Sequence, residues 1–250
     1  MELFDAHTHL DLKQFAKDLE PVLERARRAG IAGLVSSSMG PESFRRTQSI
    51  AQRHAGYVFH TAGYSASQVT TPEAEEVAKL ARESAKSLVA IGEVGLDFHW
   101  VKDEAARKAQ EPLFRIFMEL ANELGKPLVI HSRKAEEEAV DMLESASGGR
   151  VLMHCFDGSA SAARRVSDNG WHITLPATFD KYRNRVQAAR ILPLEQIMLE
   201  TDGPYLSPLP GRNEPANIIM GCRALANLLE TDSEEVARRT TANARRFYGL

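Results

Sequence analysis

The amino-acid sequence predicts an α/β protein of the (β/α)8, or TIM, barrel class. Three observations carry that expectation. Short apolar, β-branched runs alternate with longer amphipathic segments along the chain. The runs are nearly continuous in apolar residues, the pattern of parallel strands whose sheet is covered by helices on both faces. Eight such units fit within the 250 residues, the usual size of this barrel. A doubly wound open sheet is the competitor. No Gly-x-Gly-x-x-Gly follows the first strand, which removes the usual dinucleotide-binding form of that fold. No stretch reads as a linker, a repeat or low complexity, so residues 1–250 are expected to form a single domain.

Taken in order, the strand candidates are residues 2–9, 31–37, 57–63, 88–95, 127–132, 150–156, 170–176 and 196–201. The helix candidates are residues 18–29, with Pro21 in a first turn, 41–54 after Gly40-Pro41, and 72–86 opened by Thr71-Pro72-Glu73. The longest covers 104–124 and stops at Gly125; residues 134–146, 160–168, 181–191, 215–230 and 233–247 complete the set. Proline just inside a helix start and glycine just past its end are the punctuation used here.

Composition bounds the function. The chain is 43% hydrophobic and 26% charged, as in ordinary globular proteins. No apolar run is long enough to cross a bilayer. Glu2 and Asp5 stand where a signal peptide needs a basic and then an apolar region. Cys155 and Cys222 form no Cys-x-x-Cys pair, so a reducing, cytoplasmic setting is expected. The formal net charge of −3 excludes a basic DNA-coating protein. It does not exclude a nucleic-acid enzyme that grips a few phosphates through bound cations. Nothing points to a membrane or to a protein partner.

The chemistry begins at Asp5-Ala6-His7-Thr8-His9, at the end of the first strand. Residues i and i+2 of a strand share a face, so His7 and His9 present two imidazoles together. Glu93 ends the fourth strand candidate, His131 the fifth, His154 the sixth and Asp202 the eighth. In a barrel these ends converge on one rim, where active sites are built. Imidazole and carboxylate suit Zn, Mn or Mg, and no thiolate is required. Six ligands are too many for one tetrahedral ion, so two divalent metal ions are inferred. A carboxylate such as Glu93 can bridge a pair of ions in the way two-metal hydrolases use, and Asp202 is the general base that accepts the proton of a metal-bound water.

The motifs DAHTHL, IGEVGLDF, VIHSR, MHCFDG, LETDGPYL and GRNEP resemble those of the TatD-type metal-dependent deoxyribonucleases, within the amidohydrolase-like superfamily. The resemblance runs from Asp5 to the last helix, where Asn243 and Phe247 resemble the family's closing Asn-x-x-x-Phe. It implies a (β/α)8 barrel hydrolysing DNA phosphodiesters, often as a Mg-dependent 3′-exonuclease. It also implies that His7, His9, Glu93 and Asp202 bind one ion and that Glu93, His131 and His154 bind the other. One departure stands out. The family usually has Gly-x-His-Pro after the third strand, near the substrate phosphate; here the stretch is Gly63-Tyr64-Ser65-Ala66. Ser65 therefore bears on substrate preference or rate more than on the metals. His60 lies on the strand itself and is not a substitute, and His99 stands where the family often has Tyr or Arg.

Around this centre several residues have two readings. Arg133 shares a strand face with His131 and either takes a phosphate oxygen or pairs with a helix carboxylate. Arg212 and Asn213, in the loop after the eighth strand, either contact substrate or, for Asn213, hold the turn. Asp157 either orients His154 or caps a helix, and Asp97 either supports the Glu93 loop or has the same capping role. Phe98 and Trp100 either stack a terminal base or pack a long loop. His54, His172 and Cys155 read as structural. The expected function is two-metal cleavage of DNA, entering as single-stranded ends. The alternatives are a metal-dependent amide or ester hydrolase, such as a deacylase of mischarged tRNA, and a barrel retained as a scaffold. Glu93, in place of a modified lysine, argues against the usual amidohydrolase form of the first, and the full ligand set argues against the second.

Overall fold

The computed structural model describes residues 1–146 and 148–250. Among them strands and helices alternate: β1 (Leu3–Thr8), α1 (Leu19–Arg28), β2 (Ile31–Ser36), α2 (Pro41–Arg53), β3 (Val58–Ala62), α3 (Thr71–Glu83), β4 (Leu88–Asp97) and α4 (Glu104–Leu124). Then come β5 (Leu128–Arg133), α5 (Glu136–Ala146), β6 (Val151–Met153), α6 (Ala160–Asp168), β7 (His172–Pro176), α7 (Arg183–Ile191), β8 (Ile197–Glu200), α8 (Ile218–Leu228) and α9 (Ser233–Tyr248). All eight strands are parallel and ordered as in the chain. The sheet curls into a nearly closed barrel. Its seam is held by His9 N donating to the Gly203 carbonyl (2.8 Å) and Asp202 N donating to the His7 carbonyl (3.0 Å). Asp5, fully buried on β1, also accepts from the Thr201 backbone N–H at 2.9 Å, and burial pushes its carboxyl up to about 8.

The elements follow the expected order with shifted ends. Helices α4 and α6 match, and Asp103 and Ser159 cap them through their side chains. The expected helix over 215–230 is a 3₁₀ turn, Pro215–Asn217, followed by α8. β6 stops at Met153 because Cys155 adopts a φ of 48°, so His154 lies just beyond the strand rather than within it. That places Cys155 in a half-buried turn and not in a regular strand.

Side-chain alternation divides the strands into two faces. Leu88, Leu128, Ile130, Val151, Met153, Ile173, Leu175, Ile197 and Leu199 face the helices. Phe4, Ala6, Val35, Val129, Leu152 and Met198 pack inside the barrel with Phe247 and Tyr248 of α9. Helix α9 is fastened there by Tyr248 Oη donating to the Ala6 carbonyl (2.8 Å) and Asn243 Nδ2 donating to the Ile197 carbonyl (2.8 Å). The inward face thus has an apolar floor. Two residues further along three strands it turns polar: Val129 leads to His131, Leu152 to His154, and Met198 to Glu200 and Asp202.

Register irregularities interrupt the alternation at several points, and two of them bear on the site. From Asp5 to Thr8, β1 takes three steps against two in β2, Leu34 to Ser36. From Ile91 to Val94, β4 takes three steps against two in β5, Leu128 to Ile130. An extra residue of this kind re-aims the side chains that follow it. Ala6 faces the floor, and without the irregularity His7 would point outward. Ile91 faces the helices, and Glu93 would do the same.

His60 on β3 is 2% exposed, and its Nδ1 has no partner. Burial lowers its pKa to about 4 from the ordinary histidine value of 6.5. A histidine kept neutral on folding stabilises fully above its unfolded value, and that stability is lost as pH falls through the window from 6.5 toward 4. His60→Gln is expected to reduce the loss of unfolding free energy between pH 7 and pH 5 by about 2 kcal/mol, measured by denaturant titration at each pH. An unchanged pH slope would exclude His60 as the source.

Candidate metal centre

His7, His9, Glu93, His131, His154 and Asp202 meet at the C-terminal mouth of the barrel. Glu93 is the hub. Its Oε2 lies 2.8 Å from His7 Nε2, 3.4 Å from His9 Nε2 and 3.6 Å from His154 Nε2, and its Oε1 lies 3.6 Å from His131 Nδ1. Asp202 Oδ1 lies 3.3 Å from His9 Nε2 and 3.8 Å from His7 Nε2. The His7 and His154 rings stack with centroids 4.0 Å apart. Three groups have ligand atoms within 4.8 Å of one another: His7, His9 and Glu93; Glu93, His131 and His154; and His7, His154 and Asp202.

The backbone around Glu93 explains how a carboxylate reaches the middle of the barrel. Gly92 and Gly95 flank it with φ values of 140° and 143°, a region that side chains disfavour. A Cβ at Gly92 would stand 2.4 Å from the Val129 carbonyl oxygen, and one at Gly95 would stand 2.1 Å from the His131 carbonyl oxygen. Only glycine lets β4 bend this tightly against β5.

Three of the four imidazoles are hydrogen-bonded by a partner behind them, and the fourth has a carboxylate close by. His9 Nδ1 faces the Ser37 carbonyl at 3.1 Å, and His7 Nδ1 faces Ser37 Oγ at 3.2 Å. His131 turns the other way: Nε2 donates to Asp97 Oδ2 (2.9 Å), leaving Nδ1 toward Glu93. Glu200 Oε2 lies 3.6 Å from His154 Nδ1 and accepts from Thr174 Oγ1 at 2.6 Å. Such outer partners set the tautomer and orientation of a metal-binding histidine. Asp97 is itself positioned by Gln110 of α4, whose Oε1 accepts from Asp97 N at 3.0 Å.

This donor set fits divalent ions. Glu93 Oε2 is buried with His7 Nε2, at 2.8 Å, as its nearest nitrogen and no geometrically aligned donor, although buried oxygens normally have one. His7 Nε2 and His9 Nε2 face each other at 3.2 Å, as do His131 Nδ1 and His154 Nε2. Facing ring nitrogens need a cation or a proton between them. Burial alone would raise the Glu93 carboxyl, yet His154, His9 and His7 hold it well below the ordinary carboxylate value. Burial likewise opposes charge on His9, yet Glu93 and Asp202 push it up to about 10. The two carboxylates therefore stay ionised at neutral pH and draw positive charge into the site.

The remaining sequence candidates divide. Arg133 is exposed at the rim, its guanidinium carbon 5.6 Å from the Trp100 ring centroid. Arg212 and Asn213 do not join the cluster. Arg212 makes a two-pronged pair with Asp18 (2.7 and 2.7 Å) and lies over Phe15, which ties the loop after β8 to the loop after β1. Asn213 is fully buried, donating to the Thr201 carbonyl at 2.7 Å and accepting from Glu214 N and Asn217 Nδ2. It holds the turn. Asp157 neither orients His154 nor caps α6; its carboxylate lies 3.9 Å from Arg185, while Ser159 caps the helix. Ser65 stands in the loop after β3, its hydroxyl 2.9 Å from that of Ser67. Sequence reasoning missed Asp5, Ser37, Thr174 and Glu200. Glu200 was visible two residues before Asp202, with the same period that links Met198 to the rim.

The barrel and its rim cluster define the class of metal-dependent hydrolases. The family model described as "TatD related DNase" matches residues 4–249. The TatD metal-dependent hydrolase of Mycobacterium tuberculosis is 36% identical over 265 residues, covering 99% of this chain and 98% of that protein. The 3'-5' ssDNA/RNA exonuclease TatD of Pantoea ananatis is 32% identical over 263 residues, covering 99% and 100%. Among solved structures, the TatD homologue YjjV of Escherichia coli superposes with a TM-score of 0.89 at 23% identity, covering 99% and 98%. The chain belongs to the TatD-related DNase family and is a metal-dependent hydrolase.

Removing the carboxylate behind His131 tests the arrangement. Asp97→Asn is expected to weaken binding of Mn²⁺ or Zn²⁺ by the group that includes His131 about 10- to 100-fold, read by calorimetric titration of chelator-treated protein. Unchanged affinities would show that Asp97 does not orient a ligand.

Proposed function

We propose that this chain hydrolyses phosphodiester bonds of DNA, removing nucleotides from the 3′ end of single strands, as one domain spanning residues 1–250. The observation that carries this reading is the gathering of four imidazoles and a second ionised carboxylate, Asp202, around Glu93 at the open mouth of the barrel. The printed name of the Pantoea ananatis relative, a 3'-5' ssDNA/RNA exonuclease, supports the choice of bond and polarity. In this reading His7, His9, Glu93 and Asp202 hold one ion, Glu93, His131 and His154 hold the other, and Mg, Mn or Zn suits the donors. Bound divalent ions would supply Lewis acidity to the phosphate and lower the pKa of a bound water.

The side chains do the rest. Asp202 is the more open of the two carboxylates, with 13% of its side chain exposed against 7% for Glu93. It accepts the proton of the attacking water as the water oxygen bonds to phosphorus and the bond from phosphorus to the 3′ oxygen breaks. Arg133, at the rim and with no carboxylate partner among the described residues, takes a non-bridging phosphate oxygen. Arg212 and Asn213 support the loop after β8 and leave the substrate to others.

The test is digestion of 3′- and 5′-labelled single-stranded DNA with Mg²⁺, Mn²⁺ or EDTA, by the wild type and by Asp202→Asn. Stepwise shortening from the 3′ end is expected, lost in EDTA and slowed at least about 100-fold in the variant. Cleavage that survives in the variant would remove Asp202 from its role. Intact DNA beside hydrolysis of an aminoacyl ester of tRNA would move the assignment to ester chemistry.

A further inference from the structure

We propose that Trp100 is the stacking platform for a nucleobase of the bound strand, set beside the centre by the same carboxylate that aims His131. The proposal rests on the nuclease reading and adds the group that recognises the base. Trp100 is 67% exposed, more than any other large apolar side chain among the described residues. An uncovered indole on a floppy loop would mean little, but this loop is fastened at both ends. Asp97 Oδ1 accepts from the backbone N–H groups of His99 (2.8 Å) and Trp100 (2.7 Å), while its Oδ2 accepts from His131 (2.9 Å). From α4, Arg107 donates to the carbonyls of Phe98 and Val101, both at 2.8 Å. The backbone that carries the ring therefore keeps its place relative to His131, while most of the side chain stays in water.

Its surroundings favour a polyanion with flat bases. Arg133 stands beside the indole, and Arg133, Lys102 and Lys134 crowd His99 with positive charge. No carboxylate pairs with Arg133, Lys102 or Lys134 among the described residues. On the opposite flank of the centre Tyr205, 47% exposed, meets His9 edge-on with ring centroids 6.1 Å apart. Aromatic rings and cations alternating along one rim are how proteins hold single strands without reading their sequence, because every base has a face to stack. An intact duplex keeps its bases stacked on each other and offers none to Trp100. The geometry thus selects unpaired strands of any sequence.

The experiment uses the intrinsic fluorescence of the full chain, in which the only other tryptophan, Trp171, is buried. In EDTA, decathymidylate is expected to quench the exposed indole, and an abasic strand of equal length to leave it bright. In Mg²⁺, Trp100→Ala should raise KM for decathymidylate about 5- to 100-fold, and Trp100→Phe should restore most of the loss. Equal quenching by both strands, or a wild-type KM in Trp100→Ala, would overturn the platform. Fluorescence that changes with protein concentration alone would assign the indole to contact between copies and overturn it too. The two readings fail separately: cleavage with an unaltered KM leaves the reaction without the platform, and base-dependent quenching without cleavage leaves the platform without the reaction.

Discussion

The structure turns on one buried carboxylate. Glu93 stands among four imidazole rings at the centre of the barrel mouth, and every other feature of the site serves that placement. A carboxylate there is unfavourable unless positive charge surrounds it. The regular course of β4 would send its side chain outward, toward the helices. The extra residue between Ile91 and Val94 reverses it, and Gly92 and Gly95 allow the bend because any side chain there would strike β5. β1 uses the same device to turn His7 inward. Two local departures from strand geometry thus create a centre that regular strands would not form.

The apolar floor explains why those departures persist. Phe247 and Tyr248 of α9 fill the barrel beneath the polar layer together with residues from several strands, and interiors packed to this density resist rearrangement. Above the floor Ser37 partners His7 and His9, Asp97 partners His131, and Thr174 holds Glu200 behind His154 at 3.6 Å. The imidazoles therefore have little freedom to turn toward water. A site held in advance in this way meets a metal ion with little reorganisation.

The barrel and the rim ligands were legible in the sequence for a simple reason. Parallel strands are marked by apolar runs, and a polar residue ending such a run has nowhere to go but the rim. His131 follows that rule through the plain two-residue period, while His154 and Asp202 stand just past the ends of β6 and β8. His7 and Glu93 obey it only because of the two irregularities in register, which depend on the neighbouring strand and leave no local mark beyond glycines. Arg212 and Asn213 could not be settled from their position in a rim loop. What decides them is Asp18 and the Thr201 carbonyl, far away in sequence or hidden in the turn. Asp5 and Glu200 escaped notice because an acidic residue inside an apolar run reads as an interruption until its partner is known.

Asp97 shows why the centre and the substrate rim cannot vary independently. One of its oxygens aims a ring of the centre, and the other pins the loop that carries Trp100. Gln110 holds the backbone of Asp97 from α4, so even this link is anchored in the helical layer. A change that shifts the rim loop pulls on His131, and a change at His131 alters where the indole stands. In the proposed reading, substrate preference drifts without harm to the centre only at positions outside this link. The loop after β3 is such a place: Ser65 bonds to Ser67 and to no residue of the cluster. The family's histidine can be absent there while Glu93 and the five residues around it keep their geometry.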